Sequence, residues 1–224
     1  MKKYWALILL LISPSLFADD WPEVEFPDTA DVQVVADSML YHGYPMKTWV
    51  MEDEQSQMMI ASFFKKQWEE KSERFDAQMF NGDYVINSMQ PPFLLTARIH
   101  QEYDRVITYV GVTKNVTDRQ LEKNNQVQFP KPNGSTLISD IKSNDIFKQG
   151  RTLILSTPSS LASSYHFYRR HFQQRGWVEN SAILDTQSGK AALQMSQGSN
   201  LVDISFNTKK SVVYIVANQV KEGL

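Results

Sequence analysis

Residues Phe63-Phe64-Lys65-Lys66-Gln67-Trp68 read FFKKQW, and Phe167-Tyr168-Arg169-Arg170-His171-Phe172 read FYRRHF, 104 residues further on. The classes agree one for one: aromatic, aromatic, basic, basic, polar, aromatic. Either a binding motif occurs twice or one structural part is used twice, and periodicity separates the two. Leu161, Tyr165, Tyr168 and Phe172 recur at spacings of four, three and four, which sets them on one narrow helical stripe. Ile60, Ala61, Phe64 and Trp68 make the matching stripe of the first copy. The match therefore marks a duplicated scaffold more than a duplicated site.

The match extends outward. Thr48-Trp49-Val50-Met51 sits at the same offset from Thr152-Leu153-Ile154-Leu155, and both runs have strand character. Gly82-Asp83-Tyr84 is then aligned with Gly176-Trp177-Val178, which places an insertion at Lys71 to Asn81 of the first copy. Apolar segments follow at Phe93–Ile99 and Arg105–Val112, and at Ala191–Met195, Leu201–Phe206 and Val212–Ala217. Thr157 and Asp53 are expected to cap the helices, with Pro158 in the first turn and Gly176 as a stop. Val202, Ile204 and Phe206 alternate with Asp203, Ser205 and Asn207, the pattern of an antiparallel strand with one wet face.

The expected fold is α+β: two tandem two-layer modules, each with one helix on a small, mainly antiparallel sheet in the order β-α-β-β-β, with one strand more in the second. The expected divisions are a leader over 1–18, an extended arm over 19–33, a first module over 34–116, a linker over 117–135 rich in Pro and turn formers, and a second module over 136–224.

The first 18 residues, MKKYWALILLLISPSLFA, follow a secretory leader pattern: basic Lys2 and Lys3, an apolar run from Tyr4 to Ile12, then Pro14 and a small residue at Ala18. The apolar run is shorter than the roughly 20 residues that cross a bilayer. No cysteine occurs, which excludes disulfides, thiolate chemistry and a lipid-modified cysteine. A cysteine-free exported chain fits the periplasm of a Gram-negative bacterium, with general secretion as the alternative. Without Lys2 and Lys3 the 23 basic residues become 21, against 25 acidic. That balance gives no global attraction to nucleic acid, and no integral membrane segment is expected after cleavage.

Leu155-Ser156-Thr157-Pro158, Phe167-Tyr168-Arg169 and Gly176-Trp177-Val178 together carry a resemblance. The region 151–216 resembles helix-on-sheet modules of bacterial envelope proteins of unassigned function, in which a strand ending in S-T-P leads to a helix with F-Y that stops at G-W. The first copy departs from the pattern at Glu52-Asp53 and at Gly82-Asp83-Tyr84. The resemblance implies fold and compartment and carries over no catalytic residue.

Local chemistry is sparse. Gly198-Ser199-Asn200 lacks the flanks of a nucleophile elbow and reads as a turn. His166 and His171 are five apart on a helix, about 140° apart in direction, and make poor joint ligands. No phosphate-cradling or dinucleotide-binding glycine motif occurs, so no cofactor is expected. Glu52-Asp53-Glu54 suits a helix start, and Glu69-Glu70 among Lys65, Lys66 and Lys71 suits a solvated face.

The candidate interaction surface is Met59, Phe63, Phe167, Arg169, Arg170 and Arg175. Phe63 and Phe167 lie about 100° off their own stripes. Burial inside each module and use as a contact face are both open, with burial the more usual outcome. Arg169, Arg170 and Arg175 read as solvated cations or as a site for an anionic surface. Trp21, Tyr41, Tyr44 and Trp49 could line a groove or pack on strands. The leading expectation is a non-enzymatic exported protein that acts by contact with an envelope protein partner. The alternative is a small-ligand binding protein with a site between the modules, and the third reading is a hydrolase whose residues meet only in the fold.

Overall fold

A computed structural model of the chain describes residues 21–126, 129–144 and 148–222. The leader expected over 1–18 lies outside the described residues, as do the first two residues of the arm. The first half holds β1 (Asp31–Tyr41), β2 (Tyr44–Asp53), α1 (Gln57–Trp68), β3 (Arg74–Phe80), β4 (Asp83–Gln90), β5 (Phe93–Gln101) and β6 (Val106–Lys114). A short helix α2 (Asp118–Asn124) follows. The second half holds β7 (Thr136–Asn144), β8 (Lys148–Thr157), α3 (Leu161–Gln173), β9 (Val178–Asp185), β10 (Lys190–Gln197), β11 (Asn200–Lys209) and β12 (Val212–Glu222).

All of these strands lie in one 12-stranded sheet, ordered β3-β4-β5-β6-β2-β1-β7-β8-β12-β11-β10-β9, and every neighbouring pair is antiparallel. This corrects the expectation of two tandem two-layer modules, each with its own small sheet. Strands β1 and β7 would each be an exposed edge of their own half. They pair with each other instead, through Met39↔Ser143, Leu40↔Lys142 and Tyr41↔Ile141. Two bare edges thereby disappear from the middle of the molecule.

The order within each half is β-β-α-β-β-β-β, not β-α-β-β-β with an extra strand in the second. Strand β1 escapes a pattern reading because bulges between Val34 and Ala36 and between Ala36 and Met39 break its alternation. The stretch Lys71 to Asn81, expected as an insertion, contains edge strand β3. Its counterpart is β9, so the two halves stay in step through this strand. The length difference sits in the next hairpin. Asn81 and Gly82 close β3–β4 with φ of 51° and 90°, a tight two-residue turn, whereas Thr186 to Gly189 close β9–β10. The longer connection belongs to the second half.

Helices α1 and α3 sit on the same face of the sheet. In β2 and β8, Met51 and Leu155 face the cores, and the alternating positions Lys47 and Arg151 point the same way. Helix α1 packs on β4 and β5, and α3 packs on β9, β10 and β11. The stripes are as expected: Ile60, Ala61, Phe64 and Trp68 are buried in one core, and Leu161, Tyr165, Tyr168 and Phe172 in the other.

The caps differ from the expected Asp53 and Thr157. Ser56 Oγ accepts from the Met59 amide at 3.4 Å and Ser160 Oγ accepts from the Ser163 amide at 3.2 Å. Asp53 and Thr157 act three residues earlier, where each holds the chain entering its helix. Asp53 accepts from the Gln55 amide at 2.7 Å, and Thr157 from the Ser159 amide at 3.3 Å. The Gly176 stop is as expected: its φ is +79°, and the Trp177 amide donates to the Phe172 carbonyl at 3.1 Å.

The arm and the linker are also one part used twice. Phe26 packs on Phe64 and Trp49, with centroids 6.4 and 6.1 Å away, and Phe129 packs on Tyr168 and Phe172 at 5.7 and 6.2 Å. Each Phe precedes a proline, Pro27 or Pro130. Each therefore closes the end of its own core before the first strand of its half begins.

Candidate functional site

A cavity lies where the halves meet. It has a volume of about 780 Å³ and takes its walls from both halves: Trp21, Pro45 and Lys47 from the first, Lys142, Gln149 and Arg151 from the second. That volume is in the range of small-ligand sites. Pro45-Met46-Lys47 of β2 and Gln149-Gly150-Arg151 of β8 hold equivalent places 104 residues apart, and all six line the cavity. The duplication thus brings the same segment of each half to one place.

Helix α2 ties the walls together. Asn124 Nδ2 donates to the Gly43 carbonyl at 2.7 Å, and Asn125 Nδ2 donates to the His42 carbonyl at 3.1 Å. The His42 amide donates to the Asp140 carbonyl at 2.8 Å, and Lys142 Nζ donates to the Asn124 carbonyl at 2.6 Å. The stretch expected as a plain linker is therefore a clamp on the β1–β2 turn and on β7.

The charge of the cavity is one-sided. Lys47, Lys123, Lys142, Arg151 and Lys221 line it, and Asp37 is the one carboxylate among its described lining residues. The buried carboxylate Asp140 stands beneath this group. It accepts from Arg151 Nε at 2.9 Å and from Nη2 at 2.7 Å, a two-point ion pair. Burial lowers the Lys142 pKa, and the adjacent Arg151 cation lowers it further, with Asp140 acting in the opposite direction. Lys47 Nζ stands 4.9 Å from the centroid of the Trp21 ring, a cation–π contact that fixes the ammonium at the cavity wall.

The residues singled out from sequence fall elsewhere. Met59 is exposed on α1, and Phe63 is half-buried on the same helix, packed edge-on against Phe64 at 5.5 Å. Phe167 is half-buried on α3, edge-on against Tyr168 at 5.1 Å. Both phenylalanines pack against the cores of their own halves. Arg169 is paired to Glu179 at 2.6 Å, which raises its pKa. Arg170 is exposed, and exposed Arg175 donates to the His171 carbonyl at 3.0 Å. Six strands separate β5 from β11, roughly 35 Å of sheet at about 4.8 Å per strand. The α1 and α3 residues therefore form two patches and not one.

Catalytic groupings are few. Ser199 donates to Glu222 at 2.6 Å, an exposed contact between the ends of β11 and β12. His100 Nδ1 lies 2.6 Å from Asp83 Oδ1 on the face opposite the helices. Among the described residues no histidine hydrogen-bonds a serine, and no three His, Cys, Asp or Glu side chains come close enough to hold a metal ion. No helix among them is long and apolar enough to cross a membrane.

Lys47, Lys142 and Arg151 escaped the sequence reading because isolated cations carry no local pattern. One usable signal existed: Lys47 and Arg151 are a cation pair at the repeat offset, two residues before core positions Trp49 and Leu153. Comparison with protein-family models, with characterised proteins and with solved structures returns no match.

Proposed function

We propose that this protein is a non-enzymatic binding protein that holds a small ligand between the two halves of its sheet, and that it works in the periplasm. The observation that carries the reading is the cavity walled by equivalent segments of both halves. The leader pattern at 1–18 and the lack of cysteine support the compartment. A thermal-shift screen of the purified protein against periplasmic metabolites tests it. A true ligand at about a hundred times its Kd stabilises by about 2.7 kcal/mol and raises Tm by several degrees. No shift with any compound of the set, at millimolar concentration, would overturn the reading for that set.

A second reading is contact with an envelope protein partner, and one observation favours it. Met58 and Met59 are each 58% exposed on α1, beside half-buried Phe63. In-cell crosslinking with Met59→Glu, and with Phe63→Ala and Phe167→Ala, tests this surface. Crosslinks that all three variants leave unchanged would place the contact elsewhere. The cationic residues Arg170 on α3 and Arg175 just past its end would serve an acidic partner in the same assay, with Arg169 already held by Glu179.

A further inference from the structure

Resting on the reading that the cavity between the halves binds a ligand, we infer that the ligand is a small anion with at least two negative charges, such as a di- or tricarboxylate or a phosphorylated metabolite, held chiefly by Lys47 and Lys142 with Arg151. Three independent features point to this class.

The first is the lining itself, in which five cations face one carboxylate among the described residues. The whole chain is acidic, with 25 Asp and Glu against 23 Lys and Arg. The cations are thus concentrated at the cavity against the overall balance. A concave, cation-lined hollow draws and retains anions.

The second is the duplication. Lys47 and Arg151 come from equivalent positions on β2 and β8 and face the same cavity. The residue between each of them and its core, Thr48 or Thr152, points to the other face of the sheet. A ligand at the centre therefore meets a cation from each half, an arrangement suited to two separate anionic groups or to one multiply charged group.

The third is a close pair of half-buried cations. Lys142 and Arg151 are register partners on β7 and β8, both half-buried. Asp140 supplies one carboxylate to this pair and already bonds Arg151 at two points. An anion between Lys47 and Lys142 gives the Lys142 ammonium acceptors beyond its contact to the Asn124 carbonyl.

The test uses calorimetric titration and thermal shift on the purified protein at low ionic strength. The probes are pyrophosphate and citrate as anions, maltose as a neutral compound and spermidine as a cation. The expected result is saturable binding of an anion that weakens as NaCl is raised from about 50 to 200 mM. Lys47→Gln and Lys142→Met should each weaken it about tenfold or more, as loss of a charge-assisted contact does. Lys142→Met removes a like charge beside Arg151 together with the bond to the Asn124 carbonyl, so Lys47→Gln, which breaks no hydrogen bond of the clamp and should keep its Tm without ligand, separates lost binding from lost folding.

Anions that bind both variants as well as the unmodified protein would overturn the inference. Neutral or cationic compounds from the metabolite set that bind while the anions do not would overturn it too, and would leave the ligand-binding reading standing. No binding by any compound would remove both.

Discussion

The buried Asp83 carboxylate stands between His100, whose Nδ1 is 2.6 Å from Oδ1, and Arg98, whose Nε donates to Oδ2. The hydrogen bond with His100 is the main cause of a pKa held below the ordinary value of 3.8, and Arg98 adds to it against the effect of burial. A depressed carboxyl pKa contributes stability that is complete above the unfolded-state value and is lost as pH falls through the folded one. Asp83→Asn is therefore expected to lower stability at pH 7 by about 1 kcal/mol. It should also leave the variant and the unmodified protein equally stable in strong acid. Urea unfolding from pH 7 to pH 2 measures this. A constant difference across that range would refute the linkage.

Ser56 and Ser160 cap α1 and α3 with the same geometry. Alanine at either position should cost about 1 kcal/mol. Glycine should cost less, because it loses the hydrogen bond but keeps the backbone conformation. Chemical denaturation of the four single variants checks the ranking, and an Ala variant as stable as the unmodified protein would show that the cap is not used in solution.

Tyr168 lies fully buried in the second core, and its hydroxyl has no hydrogen-bond partner among the described residues. Burial pushes its phenol pKa up. Removing a stranded hydroxyl while keeping the ring should stabilise, so Tyr168→Phe is expected to raise stability by about 1 kcal/mol. Tyr168→Ala should cost about 3–5 kcal/mol by opening a cavity under Phe129 and Phe206. A Phe variant that loses stability would mean that the hydroxyl finds a partner in solution.

Asn124 and Asn125 fasten the β1–β2 turn to the end of α2, and Lys142 of β7 bonds the Asn124 carbonyl in turn. Three described residue pairs join β1 to β7, so these side-chain bonds are a sizeable part of the join. Asn124→Ala should speed amide exchange at His42 and around Ile141 while the strands of the two cores stay protected. Uniform acceleration over the whole chain would mean global destabilisation and not a loosened join.

Helices α1 and α3, their stripes and the stop at Gly176 were legible in sequence, whereas α2 lies in the stretch expected as a linker. Each is set by periodicity and by local backbone preference within a dozen residues. The strands after each helix were found where alternation was clear, as in Val202, Ile204 and Phe206. Edge strand β3 and the bulged β1 were not. Their residues are largely exposed, so burial imposes no period on them. The caps were misplaced by three residues because Asp53 and Thr157 are good capping types, yet they hold the turn before the helix.

The candidate site was hidden for a different reason. Phe63 and Phe167 drew notice because local periodicity exposed them as exceptions. Lys47, Lys142 and Arg151 are ordinary cations in the sequence, and they acquire meaning only when β1 meets β7. By itself the sequence determined that one scaffold occurs twice, because core spacing and turn chemistry are local and repeat together. Only the tertiary structure decided that the copies share one sheet and face one cavity. That outcome depends on pairing two strand edges far apart in the chain, and no run of neighbouring residues encodes which edges will find each other.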